Sequence, residues 1–199
     1  MNADDVETLR ALLAPTGWLD RTSLFARALR RSAQTPQGLL LFGPADDEPW
    51  HMTAHLADES RLAGLPELEP TLVKWSPRPG APAHLAVGLD RLQAASRRET
   101  LLVVSARLAP ADLLERVSDV RRQGATIFAL DQGDPELDGL AHESLAVPET
   151  SAPVSFDGAQ HLVSSAAGSP DPLRGRRPPP GLRARLARLL DSVSGTPAD

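Results

Sequence analysis

Two histidines and a glutamate, His51, His55 and Glu59, stand four residues apart in the stretch HMTAHLADES. Four residues is just over one helical turn, so on a helix these side chains share a face. Imidazole and carboxylate groups gathered on one face can ligate a divalent metal ion. They can also move a proton, with the carboxylate as base beside a partner acid. A solvated helix surface carries the same residues, so the spacing alone leaves three readings open.

Other reactive groups are few. The chain has no cysteine, which excludes disulfides, thiolate metal sites and cysteine nucleophiles, and it has no tyrosine. It contains no phosphate-binding Walker sequence, no G-x-S-x-G and no H-E-x-x-H. The segment GDPELDG places acids at 134, 136 and 138 without the rest of a calcium loop. His142 and Glu143 read as a polar loop before a strand, and His84 as an exposed residue after a Pro-rich turn. Trp50 and Trp75 read as core or interface anchors rather than sugar platforms. The basic run RGRRPPP is short, and the net charge of -5 offers no broad basic face for nucleic acid. Lys74 is the only lysine. The acidic first twenty residues lack a signal-peptide pattern, and no apolar run approaches the roughly 18 residues of a membrane span. A cytoplasmic location is the resulting expectation.

The elements that would carry the opening stretch follow from periodicity. An apolar stripe of Val6, Leu9, Leu12 and Leu13 predicts a helix over 4–14. Asp20 as N-cap starts a second, running to Ser32. GLLLF at 38–42, TLVKW at 71–75, TLLVVS at 100–105, TIFALD at 126–131 and SLAVPE at 144–149 read as short strands. Between them, helices are predicted at 49–64, 84–95 and 109–125, with a loop or short helix in GDPELDGLAHE. Pro49 suits the first position of its helix, and Gly64 suits the residue past its end. A further helix follows at 156–168. Apolar strands alternating with helices imply a doubly wound parallel sheet of five strands in a three-layer α/β domain over 1–168. Residues 169–180 form a Pro/Arg-rich linker, and 181–199 hold a C-terminal amphipathic helix and tail. Its stripe of Leu182, Leu186, Leu189, Leu190 and Val193 would pack on its own domain, on a sister subunit or on another protein.

The run TLLVVS, ADLLERVSDV, RRQGATIFAL, LAHESLAVPE resembles the second half of a SIS (sugar isomerase) domain, and GLLLFG, helix, TLVKW resembles the first half. The likeness covers about residues 5–168 and is nearest to the phosphoheptose isomerases and their non-catalytic relatives that bind a replication initiator. It implies a phosphosugar-type ligand and a homo-oligomer. In that family an H-x-x-x-E pair follows the first strand, and the last helix carries a glutamine with a histidine eight residues later. His55 and Glu59 match the pair and Gln160 matches the glutamine; position 168 is Gly168. The resemblance implies zinc held by His55, Glu59 and Gln160, with Glu59 and the histidine missing at 168 as base and acid; Glu59 with His55 or His51 is the catalytic group left in this chain. His161 would substitute for the missing histidine only in another helix register.

The phosphate cradle departs from the family pattern. Gly43 and Ser105 survive at the two turns. Pro44 offers no N–H, and Asp46, Asp47 and Glu48 bring negative charge to a helix start where an anion would sit. Arg107 stands where the hydroxyl-rich loop should be, and can offset part of that charge. The ligand-binding candidates are thus Gly43, Ser105, Arg107 and Gln160. Three functions follow: a phosphosugar-binding or regulatory SIS-like protein without isomerase activity, a phosphosugar isomerase using Glu59, or an oligomeric assembly module.

Overall fold

The computed structural model describes residues 13–169. The readings for 4–14, 169–180 and 181–199 therefore fall almost wholly outside the described residues. Five strands form one parallel sheet in the order β2-β1-β3-β4-β5. They are β1 (Leu39–Phe42), β2 (Pro70–Leu72), β3 (Thr100–Ser105), β4 (Thr126–Asp131) and β5 (Glu143–Ala146). Among the described residues, six α-helices connect and cover them: α1 (Trp18–Ser32), α2 (Trp50–Ala63), α3 (Asp90–Gln93), α4 (Ala111–Arg122), α5 (Pro135–Leu140) and α6 (Phe156–Gly168).

The strands are apolar on both faces because both faces are covered. In β1, Leu39 and Leu41 point to one core while Leu40 and Phe42 point to the other. Every residue of β3 is buried. On the first face, α1, α2 and α6 pack Leu29, Met52, Leu56 and Val163 onto Leu102, Phe128 and Leu130. Phe25 of α1 meets Phe128 edge-on at 5.4 Å between ring centroids. On the second face, Leu92 of α3, Leu113, Val117 and Val120 of α4 and Leu137 of α5 close over Leu101, Val103 and Ile127. Each such leucine, fully withdrawn from water, contributes about 2–3 kcal/mol.

Helix α6 lies against both α1 and α2. Its start is capped by the Ser155 hydroxyl, which accepts from the Gly158 N–H. Its end is held by Arg30 of α1, whose guanidinium donates to the carbonyls of Ser169 at 2.6 Å and Ala167 at 3.5 Å. That places a cation on the negative end of the helix. These contacts seat α6 on α1, while its packing along α2 decides which of their side chains meet.

Three sequence expectations shift. Helix α1 begins at Trp18, before Asp20, because Gly17 at φ 70 turns the chain directly into it and buries Trp18. The helix expected over 84–95 is instead a 3₁₀ turn, Ala83–Leu85, and the four-residue α3; Gly88 stands in the break. Strand β2 ends at Leu72, although the Val73 N–H still donates to the Leu41 carbonyl. Among the described residues no helix is long and apolar enough to cross a membrane.

Candidate functional site

Order β2-β1-β3 means that the chain leaves β1 to one side and β3 to the other, so their carboxyl ends flank the switch point where doubly wound sheets gather ligands. The loop after β1 holds Gly43, and the loop after β3 holds Ser105 and Arg107. A side chain at Gly43 would stand 2.7 Å from the Val104 carbonyl oxygen, so glycine is required for the loops to close this tightly. Trp75 Nε1 donates to the Gly43 carbonyl at 2.7 Å while its ring stacks on Phe42.

Several donors that an anion could use here are engaged within the protein. The Ser105 hydroxyl donates to the Arg107 carbonyl at 2.7 Å. Arg107 pairs with Asp46 at 2.8 Å, bridging the two loops. The Ala109 N–H donates to Asp134 Oδ2 at 2.6 Å, and Pro110 has no N–H to add. Asp134 also caps α5 through its other oxygen, and its own N–H donates to the buried Asp131, whose carboxyl burial pushes above the usual range. Glu48 pairs with Lys74 at 3.3 Å, and Lys74 lies over the Trp50 ring at 4.6 Å. Two acids of the triplet are thus paired with cations, Asp46 with Arg107 and Glu48 with Lys74. Trp50 is 42% exposed, so it is a surface residue under Lys74 and not a core anchor. Asp134 was read only as part of an acidic loop; nothing in its spacing tied it to residue 109.

Helix α2 begins directly after this loop and carries His51, His55 and Glu59 on the face toward α6. His161 of α6 completes a cluster with the two histidines. Ring centroids are 4.6 Å apart for His51 and His55, 4.7 Å for His51 and His161, and 3.9 Å for His55 and His161. One ring nitrogen from each lies within 4.8 Å of the other two. Burial, and then the neighbouring His55 and His51 charges, push His161 down to about 4, against the pull of Asp157. Burial and His51 likewise lower His55, with Asp58 opposing. His161 is therefore neutral at pH 7 and His55 is biased toward its neutral form, the form that ligates metals.

Glu59 is buried one turn further along, and Gly168 at the end of α6 packs onto it. A Cβ at 168 would lie 2.9 Å from the Glu59 Cβ and closer still to its carboxylate. Gln160 is buried beside His161, and its amide donates to Asp157 at 3.1 Å. The structure thus brings His55 together with His51 and His161, puts Glu59 against Gly168, and turns the Gln160 amide nitrogen toward Asp157. The four-donor set expected of phosphoheptose isomerases does not fit these residues, since position 168 has neither a ligand nor room for one. Of the remaining histidines, His84 is exposed, and His142 Nδ1 accepts the Ile127 N–H at 2.9 Å in a structural role. A separate groove between α1 and β5, lined by Arg21, Leu24, Phe25 and Glu143 among others, contains none of these candidates.

No protein-family profile and no curated protein matches the chain. Solved structures do match. The sugar-isomerase domain of an RpiR transcription factor from Sphaerobacter thermophilus superposes with a TM-score of 0.50 at 13% identity, over 94% of this chain and 97% of that one. A protein from Silicibacter pomeroyi DSS-3 described as a phosphosugar isomerase gives a TM-score of 0.54 at 17% identity, over 95% of this chain and 53% of that one. The chain has the SIS fold. It spans about half the length of the Silicibacter protein and nearly the whole of the RpiR domain. At such identities the likeness concerns architecture alone.

Proposed function

We propose that this chain is a SIS-type binding or regulatory protein for a sugar derivative, without aldose–ketose isomerase activity. The observation that carries the reading is the contact between Gly168 and Glu59. An isomerase must pass a proton between neighbouring carbons, and its base needs a partner acid within reach of the substrate. Here the position that would supply the partner carries no side chain, and the backbone of α6 is seated against the candidate base. The engaged loops after β1 and β3 point the same way, because a sugar phosphate must first displace the Arg107–Asp46 pair and the Asp134 hydrogen bond. The full-length likeness to an RpiR sugar-isomerase domain, part of a transcription factor, favours ligand sensing over turnover.

The test is a thermal-shift screen with hexose and heptose phosphates, followed by turnover assays on any ligand found. Stabilisation by a sugar derivative without turnover is the expected result; a ligand at about 100 times its Kd adds about 2.7 kcal/mol. Turnover that Glu59→Gln abolishes would establish the isomerase reading instead. Homo-oligomerisation belongs to the same reading, since SIS-type sites are often shared between subunits, and light scattering on the full chain measures it.

A further inference from the structure

We propose that His51, His55 and His161 form a zinc-type metal site distinct from the donor set of the phosphoheptose isomerases. Three of the five histidines of the chain meet at this one place, from two helices. Their ring nitrogens lie within 4.8 Å of one another. A tetrahedral zinc with Zn–N bonds near 2.0–2.1 Å needs its nitrogens about 3.4 Å apart, a contraction that small ring rotations supply. His51 and His55 are one turn apart on α2, the spacing that lets two imidazoles share one ion.

A packing role alone accounts poorly for the cluster. An imidazole brings ring nitrogens that must donate or accept, and withdrawing one from water is costly unless it is satisfied. Yet His51 Nε2 is out of contact with solvent and has no hydrogen-bond partner. Leucine or phenylalanine would fill the same space between α2 and α6 without that penalty. A divalent ion held by the three rings would give the His51 nitrogen the partner it lacks. Three imidazoles leave the ion its full positive charge and an open fourth position, for water or an oxygen of a ligand. The arrangement does not depend on what the loops after β1 and β3 bind, nor on whether the protein turns anything over.

The experiment is titration of the metal-free full-length protein with Zn2+ by calorimetry, with Co2+ as a spectroscopic probe. One ion per chain is expected, with visible absorption of Co2+ in a nitrogen-rich tetrahedral site. His51→Ala and His161→Ala should each weaken binding by at least about a hundredfold, since loss of even an outer partner of a metal ligand costs roughly 10–100-fold. His51 is half-buried whereas His161 is buried, so His51→Ala reports on binding even where His161→Ala fails to fold. Glu59→Gln and the surface control His84→Ala should leave the affinity within roughly threefold. Absence of stoichiometric binding would overturn the proposal. So would binding that survives His51→Ala and His161→Ala yet is lost with Glu59→Gln, the pattern of the family donor set.

Discussion

At the residue scale, one missing side chain decides more than those present. Gly168 lets the end of α6 close onto Glu59, so any side chain there meets the Glu59 Cβ at 2.9 Å. Overpacking of this kind costs about 1–3 kcal/mol, and Gly168→Ala should lower stability by that amount in denaturant unfolding. Combining it with Glu59→Ala should recover part of the loss, because the carboxylate contact is removed while the Cβ contact stays; a strictly additive double variant would mean that the carboxylate does not meet position 168. Gly168→His should destabilise in the same way and leave the protein without isomerase turnover. The sequence showed this glycine but not its neighbour. It also showed His161 but could not phase α6 against α2. Gln160 and His161 are both buried, and only the packing decides that His161, not Gln160, faces the two histidines of α2. His51, His55 and Glu59 were legible as one face because a helix sets their spacing locally.

At the element scale, the strands were readable and the short connections were not. Runs such as TLLVVS have one physical use in a soluble chain, burial on both faces, and β3 realises it. The segment 84–95 has apolar residues at helical spacing, but Pro82 and Gly88 flank only enough chain for a 3₁₀ turn, and α3 starts afresh at Asp90. What anchors α3 is Glu99, which pairs with Arg91 and accepts the Ser96 N–H at 2.6 Å. Burial alone would raise the Glu99 carboxyl, but the Arg91 and Ser96 contacts outweigh it and hold it below 4.5. The unfolded chain therefore takes up this proton first as pH falls. The contribution is fully present above pH 4.5 and is lost as pH drops through the lower folded-state value. Glu99→Gln should cost about 1 kcal/mol at pH 7, and the gap to the parent should shrink toward pH 3. An unchanged gap would show that the pair acts through geometry, not charge. At the carboxyl end of the strands, Trp75→Phe keeps the stacking on Phe42 and removes the hydrogen bond to the Gly43 carbonyl. It should cost about 1 kcal/mol and speed amide exchange in the loop after β1.

At the scale of the whole molecule, the sheet divides the interior into two apolar layers that share only its backbone. Val163 of α6 lies in the layer under the histidine cluster, and Val120 of α4 lies in the other. Neither touches a residue of the opposite layer, yet both press on strands joined by one continuous ladder from β2 to β5. Val163→Ala and Val120→Ala should each cost about 1–3 kcal/mol through lost burial and the cavity left behind. Because the sheet separates the sites, the double variant should fall within about 0.5 kcal/mol of the sum. Its unfolding should remain one transition, since the sheet belongs to both layers and neither can melt without it. Two resolved transitions would mean that the layer carrying α1, α2 and α6 holds together without the other. In that case the helices bearing the three histidines would form a unit of their own, and zinc would raise the melting temperature of that transition alone. A single transition that zinc shifts as a whole is the expected outcome, because the ion ties α2 to α6 and both are seated on the same five strands.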